Sequence, residues 1–199
     1  TSIKATFDHK YGMTKDQAAY VEKETKRLAP IITQNAKSDH DKVKAIHDYV
    51  VLNVEYDGTM RQEYNTPFHA LTRKETLCSG YSTLTFKLLE AVDIPARLIS
   101  GTSNKVGHAW NMVQIDGKWY HLDTTWDDPI NASADSVFYN YYMLSDKVLK
   151  KTHFWTDGGL NKYDRPYPKA TSNYKQHLEN IHHFNLLNEI LPNGITIQS

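Results

Sequence analysis

Hydrophobic residues in the first third of the chain recur at helical spacing. Thr14 with Gln17 makes a capping-box signature, in which each side chain accepts a hydrogen bond from the other residue's backbone N–H. The pattern after it predicts a helix to about Asn35, and a second helix begins after Ser38. The inner stripes of these two helices are Ala18, Val21, Thr25, Leu28 and Ile32, and Val43, Ile46, Val50 and Val54.

The middle of the chain changes from helical to strand patterns. A short helix is predicted at 67–71 and a longer one from Cys78 until Ile94-Pro95 ends it. A strand is predicted at 96–101, and a hairpin is predicted at 108–115 and 118–123 around Asp116-Gly117, a pair favoured in type I′ turns. Weaker patterns predict strands within 1–12 and at 139–143, a short helix at 146–151 and a final helix at about 178–191. No convincing domain boundary separates these elements, so a single domain spanning residues 1–199 is expected.

The hairpin turn determines which residues share a face. Counting outward from a two-residue turn places four residues together, and these are His108, Trp110, Asp123 and Thr125. His108 and Asp123 are then diagonal neighbours, roughly 7 Å apart at the backbone, and one hydrogen bond can close that gap. This is the relation between a catalytic base and the group that orients it. The alternative is an exposed His and Asp on a strand pair.

Cys78 is the only cysteine, so the chain can form no internal disulfide and no zinc site made of several thiolates. It lies where a loop meets a helix, and the unpaired N–H groups there favour a thiolate. Gly80 is expected to keep the first turn slim, so that a substrate can approach the sulfur. The alternative is a small buried residue that packs at a helix start.

Composition narrows the range of partners. Lys plus Arg and Asp plus Glu are both 23, so no basic excess points to nucleic acid. No apolar run approaches the roughly 18–20 residues that span a bilayer. No His or carboxylate cluster has ligand spacing, so neither a metal nor another cofactor is expected, and Asp127-Asp128 is interpreted as part of a solvated loop. The chain begins with Thr1 rather than Met, which indicates a trimmed or mature form.

Three segments resemble motifs of a known family, and their order is also that of the family. They are L-C-S-G-Y-S at 77–82, G-H-A-W-N at 107–111 and W-Y-H-L-D-T-T-W at 119–126. Residues from about 40 to 130 thus resemble the core of the transglutaminase-like superfamily, in a bacterial-type domain. The resemblance implies a papain-like α+β fold, in which a helix carrying Cys packs on an antiparallel sheet carrying His and Asp. It implies that Cys78, His108 and Asp123 form a catalytic triad.

The resemblance also implies an oxyanion hole. Its first donor would be the backbone N–H of Cys78, and papain-like enzymes take the second from a residue upstream, often Gln or Trp. No Trp precedes Cys78, and the polar candidates are Tyr56, Gln62 and Asn65, of which Tyr56 is preferred because packing can hold its ring. Trp110 and Trp126 are candidates for the walls of a substrate cleft, and the alternative for both is the hydrophobic core.

These features predict a cysteine-dependent acyl-transfer enzyme that acts on amide bonds of protein or peptide substrates through a thioester on Cys78. Polar segments at 55–66 and 127–135 favour water over an amine as the acyl acceptor, and therefore a protease or amidase over a transglutaminase. The alternative is a non-catalytic cell-surface or protein-interaction module on the same scaffold. A cell-wall peptide is one candidate substrate, and an extracellular or cell-surface bacterial protein is expected.

Overall fold

A five-stranded antiparallel sheet and the helices packed against it form the framework of the computed structural model, which describes residues 12–130, 136–156 and 166–174. The helices of this part are α1 (Lys15–Ile32), α2 (Asp39–Asn53), α3 (Pro67–Thr72), α4 (Cys78–Glu90) and α5 (Asp146–Leu149), with one 3₁₀ turn at Gln62–Tyr64. The strands are β1 (Glu55–Tyr56), β2 (Glu75–Thr76), β3 (Ala96–Ser103), β4 (Val106–Ile115), β5 (Lys118–Leu122), β6 (Tyr142–Leu144) and β7 (His153–Phe154). The predicted α+β fold class is confirmed.

Side-chain caps start the first two helices where the sequence predicts them. Thr14 accepts from the backbone N–H of Gln17 at 3.2 Å, and the Gln17 side chain accepts from the N–H of Thr14 at 2.9 Å. Ser38 caps α2 by accepting from the N–H of Asp41 at 3.1 Å. These bonds satisfy backbone donors that have no partner inside a helix.

The large sheet has the strand order β6-β5-β4-β3-β7. Asp116 and Gly117 both have positive φ, 50° and 74°, as a type I′ turn requires. The register predicted from this turn is confirmed from Ile115–Lys118 to Asn111–Leu122. It stops there because the chain bends after Leu122, where the N–H of Asp123 donates to the carbonyl of Tyr141 at 3.0 Å. Continued outward, the same register would pair Trp110 with Asp123 and His108 with Thr125, but neither pair is part of the ladder.

Apolar side chains pack on both faces of the sheet, because alternate residues of β4 point to opposite sides. Val113 and Ile115 join the larger cluster with the helices, whose other members include Val43, Ile46, Val50, Tyr81, Leu84, Leu88 and Leu89. Trp110 and Met112 join a second cluster, which also holds Ile99, Leu144, Leu149 and Trp155. Helix α4 contacts β4 and β3, which brings its first residue, Cys78, to the end of the sheet near His108.

Three elements were not predicted. Strands β1 and β2 form a short parallel pair, and β7 extends the sheet beside β3. The predicted strand at 139–143 is shorter and later, at Tyr142–Leu144. The predicted strand in 1–12 and the final helix at 178–191 lie outside the described residues, apart from Gly12. No helix of the described part is both long and apolar enough to cross a membrane.

Candidate active site

Cys78 is the first residue of α4 and is half-buried. The residue before it, Leu77, has no side-chain acceptor, and Asn65 caps the helix in its place. The side-chain oxygen of Asn65 accepts from the backbone N–H groups of Ser79 at 2.9 Å and Gly80 at 3.1 Å. Within the described part of the chain, the backbone N–H of Cys78 donates to no other group. The backbone N–H of Cys78 therefore remains as a donor beside the sulfur. Asn65, which was one of the candidates for the oxyanion donor, serves as the helix cap.

Gly80 has a different role from the one expected. A Cβ atom at this position would lie 1.9 Å from the Oγ1 atom of Thr76. The Thr76 hydroxyl in turn donates to the carbonyl oxygen of Tyr64 at 2.6 Å. The absence of a side chain lets α4 pack closely on β2, and Thr76 fills the space that was expected to admit a substrate.

Cys78, His108 and Asp123 lie next to one another in the fold. The Nε2 atom of His108 lies 2.7 Å from the Oδ2 atom of Asp123, although Asp123 follows the last pair of the β4–β5 ladder. The His108 side chain and the backbone N–H of Ala109 are both close enough to the Cys78 sulfur to lower the pKa of its thiol. Because Nε2 faces Asp123, the other ring nitrogen, Nδ1, is left for the thiol.

The charges of the three groups support one another. Burial opposes ionisation of Cys78, but the neighbouring His108 ring and its charge outweigh it, and the pKa of the Cys78 thiol is lowered. Burial also opposes a charged His108, yet the charge and hydrogen bond of Asp123 raise the pKa of His108 to about 10. Against its own burial, Asp123 has a pKa held well below its usual range by His108 and then by His153. The site therefore favours ionisation of the Cys78 thiol and protonation of the His108 imidazole.

The backbone holds the Asp123 carboxylate in place. Its Oδ1 atom accepts from the N–H groups of Thr125 at 3.1 Å and Trp126 at 3.2 Å. Asp123 is 1% exposed, so these bonds are shielded from water. The bend that ends β5 thus supplies two of the donors to the carboxylate.

The two tryptophans predicted to border the cleft lie at different depths. Trp110 is 1% exposed, and its ring is stacked with that of His108 at a centroid distance of 5.8 Å. It fits there because Gly101 has no side chain, since a Cβ atom at Gly101 would lie 2.8 Å from the Trp110 ring. Its burial contradicts the expectation that Trp110 lines an open cleft. Trp126 is partly exposed and meets His108 edge to face at 6.3 Å, so it can border the cleft.

Tyr56 lies close to Cys78 in the fold. It pairs with Thr76, two residues before Cys78 in the chain. Burial raises the pKa of Tyr56, and the charges of Cys78 and Asp57 raise it further. The hydroxyl donates to the sulfur of Met60 at 3.5 Å, a weak acceptor that a better one can replace.

The loop after Tyr56 is held by its own polar side chains. The Asp57 carboxylate accepts from Thr59 and Arg61, through both side-chain and backbone donors. Arg61 also donates to Glu75 of β2 at 3.0 Å. The polar composition of this segment therefore stabilises the loop, and it is not evidence of a wet cleft.

Sequence reasoning missed His153. This residue is 2% exposed, and its Nε2 atom lies 2.9 Å from the Oδ2 atom of Asp123, the same oxygen that His108 contacts. Nothing in the sequence near His153 marked it, because it reaches Asp123 only through the pairing of β7 with β3.

Asp127 and Asp128 do not form a solvated pair, contrary to the expectation. Asp127 is fully buried, and its carboxylate contacts His47 at 3.1 Å and accepts from the N–H of Tyr141 at 2.8 Å. Asp128 is partly exposed and hydrogen-bonded to Tyr81. Both carboxyl groups face inward because α2 and α4 bring partners to them.

One group of side chains has the composition of a metal site. His108, Asp123 and His153 place one ligand atom each within 4.8 Å of one another, and two His with one carboxylate can bind divalent metals. The Nε2–Oδ2 distances of 2.7 and 2.9 Å are those of N–H donors, which a metal ion would have to displace. The arrangement as it stands is a hydrogen-bonded one, and the expected absence of a metal stays a prediction.

Comparison with known families identifies the domain that carries this site. The family model described as the transglutaminase-like superfamily matches residues 26–124, which include Cys78, His108 and Asp123. The chain belongs to the transglutaminase-like superfamily. The suspected resemblance is thereby confirmed.

Relatives within this superfamily are distant. The kyphoscoliosis peptidase of Mus musculus is 27% identical over a 148-residue alignment that covers 64% of this chain. That of Homo sapiens is 26% identical over a 142-residue alignment that covers 61%. The match spans only 22% of the length of each of these relatives. A solved TGase structure is 22% identical with a TM-score of 0.53, covering 85% of this chain and 47% of that chain. This structural likeness supports the fold.

Proposed function

We propose that this protein is a cysteine-dependent acyl-transfer enzyme that hydrolyses amide bonds of protein or peptide substrates. Cys78 is the nucleophile, His108 is the acid and base, and Asp123 orients His108. The observation that carries the proposal is the position of the Cys78 thiol beside His108, whose Nε2 atom is hydrogen-bonded to Asp123 at 2.7 Å.

The reaction has two halves. In the first, the Cys78 thiolate attacks the carbonyl carbon of the amide, and the C–N bond breaks while the Nδ1 proton of His108 passes to the leaving nitrogen. In the second, neutral His108 takes a proton from water, and the water oxygen attacks the thioester carbonyl. The C–S bond then breaks, the product leaves as an acid, and the thiolate–imidazolium pair is restored. One water molecule is consumed for each amide bond cleaved.

The oxyanion of each tetrahedral intermediate needs donors aimed at it. The backbone N–H of Cys78 is the first donor, because Asn65 caps the two N–H groups after it and leaves this one beside the sulfur. The Tyr56 hydroxyl is the second, because it lies near Cys78 and its contact with Met60 is weak.

Water is the proposed acceptor of the acyl group carried by Cys78. Transamidation requires an amine to outcompete water at about 55 M, which demands an apolar tunnel that excludes water. Of the two tryptophans expected to wall such a tunnel, Trp110 is buried in the core and only Trp126 can border the cleft. The kyphoscoliosis relatives are described as peptidases, which also favours hydrolysis.

A single experiment tests the reaction and the acceptor. The protein is incubated with a panel of peptides, including glutamine-containing ones, and a millimolar fluorescent primary amine. Mass spectrometry then measures acyl groups on Cys78, hydrolysed products and amine conjugates, with Cys78→Ser as the control. We expect hydrolysis to exceed conjugation and to need Cys78. More amine conjugate than hydrolysed product would mean that an amine, and not water, is the acyl acceptor. No product across the panel would favour a non-catalytic interaction module.

A further inference from the structure

Two imidazole rings contact the same carboxylate oxygen of Asp123. Its Oδ2 atom lies 2.7 Å from Nε2 of His108 and 2.9 Å from Nε2 of His153. The other oxygen is occupied by the N–H groups of Thr125 and Trp126. Two of these four donors are side chains. One is His108, the proposed base, and the other is His153.

The environment of His153 holds its ring in one orientation. Its second ring nitrogen, Nδ1, lies 2.8 Å from the Thr152 hydroxyl. Trp110, Trp126 and Tyr141 surround the ring at centroid distances of 5.1, 5.2 and 5.6 Å. Both nitrogens are thus occupied and the faces are packed, so the ring cannot turn away from Asp123 without losing a bond.

The contacts of His153 assign a partner to each ring nitrogen. Nε2 faces the Asp123 carboxylate, which has no hydrogen of its own, so Nε2–H is the donor in that contact. Nδ1 faces the Thr152 hydroxyl, which holds the other side of the ring. His153 therefore restrains the carboxylate from the side opposite the backbone donors.

We propose that His153 is a positioning residue, which holds the Asp123 carboxylate against His108 and so stabilises the Cys78–His108 ion pair. The inference rests on the proposed function and adds a fourth side chain to it. Without His153, a buried acceptor loses a donor and the carboxylate is less restrained. The His108 imidazolium is then less stabilised, and the thiol of Cys78 ionises less readily.

The test compares two substitutions at position 153. His153→Gln keeps an N–H donor at a similar reach, whereas His153→Leu removes the donor and keeps a side chain of similar size. The rate of iodoacetamide labelling of Cys78 is measured from pH 4 to 9, and thermal unfolding of each variant is recorded. We expect the acid limb of the labelling profile to move up by about one pH unit in His153→Leu, about a tenfold loss of rate on that limb. In His153→Gln the limb should stay within a few tenths of a unit of wild type.

The outcomes separate this inference from the proposed function. Slow wild-type labelling that rises only above pH 8 would overturn both. A reactive wild type with the same acid limb in His153→Leu as in His153→Gln would overturn only the role of His153, whatever the loss in melting temperature. If His153→Leu does not fold, the same labelling profile is measured on Thr152→Val, which removes the hydroxyl that orients the His153 ring. We then expect a smaller upward shift of the limb, and an unchanged profile would overturn the proposal.

Discussion

The hydroxyl of Tyr81 is hydrogen-bonded to the carboxyl group of Asp128 and lies 3.0 Å from the carbonyl oxygen of Val54. A phenol has one hydrogen to donate and a carbonyl has none. All contacts are satisfied when Asp128 is protonated and donates to Tyr81, and Tyr81 donates to Val54. Burial raises the pKa of Asp128 to about 6, against the lowering effect of its bond with Tyr81. Below about pH 6, helix α4 is therefore tied to the segment after Asp123 through a carboxylic acid.

Asp128→Asn should stabilise the protein at neutral pH. The folded pKa of about 6 lies above the usual value of 3.8. The contribution of Asp128 to the free energy of unfolding is therefore complete below about pH 3.8 and is lost as the pH rises through 6. Asparagine keeps a donor at every pH, so we expect a gain in unfolding free energy of about 1–2 kcal/mol at pH 7.5, allowing for partial exposure, and little gain at pH 4. Urea unfolding at both pH values measures it, and a gain that does not change with pH would contradict the assignment.

Cys78 should react quickly with iodoacetamide near pH 6, because the pKa of its thiol is lowered by His108. His108→Ala should slow labelling at this pH by at least tenfold, since burial then opposes the thiolate without compensation. The pKa of His108, at about 10, predicts that the ion pair persists until the imidazolium loses its proton near that pH. Cys78→Ser is the control for background labelling, and equal rates for wild type and His108→Ala would point to a structural cysteine.

Asp123→Asn should retain the fold but lower turnover by about 10²–10⁴, by analogy with serine triads. The amide has only one acceptor oxygen, so either the two imidazoles or the N–H groups of Thr125 and Trp126 lose their acceptor. Turnover is measured on a peptide found by the screen, and circular dichroism reports the fold. Ordinary turnover by this variant would exclude the orienting role.

Tyr56→Phe should lower turnover by about 10²–10³ if its hydroxyl binds the oxyanion. Tyr64→Phe is the matched control, since Tyr64 belongs to the same loop and packs its ring against Arg61 and Arg73. Only the first variant should lose activity, with similar melting temperatures for both. Full turnover in Tyr56→Phe would assign the second donor to another residue.

Cys78 labelling should not depend on a bound metal. The His108, Asp123 and His153 cluster is held by hydrogen bonds that require protonated Nε2 atoms. Treatment with a chelator should leave the labelling rate within a factor of two, and elemental analysis should find much less than one metal ion per chain. A loss of labelling that zinc or calcium restores would contradict this, and His153→Gln would then show whether the ion occupies this cluster.

Local patterns predicted part of the geometry of the proposed site. The Asp116-Gly117 turn sets the register of β4 with β5 as far as Asn111 and Leu122, and this brings His108 and Asp123 to the same end of the hairpin. The capping signature at Thr14 and Gln17 likewise marks a helix start. Each of these features depends on residues close together in the chain, whose spacing and turn preferences determine the backbone conformation directly.

The sequence by itself determined the helix starts, the hairpin register and the motifs of the transglutaminase-like superfamily. Only the tertiary structure decided that Trp110 is buried, that Asn65 caps the helix of Cys78 and that Asp127 lies inside. It also decided that His153 meets Asp123, through the pairing of β7 with the far edge of β3. The physical reason is that these contacts join segments distant in the chain. Which side chains meet there depends on how whole elements pack, and no local pattern of residues records it.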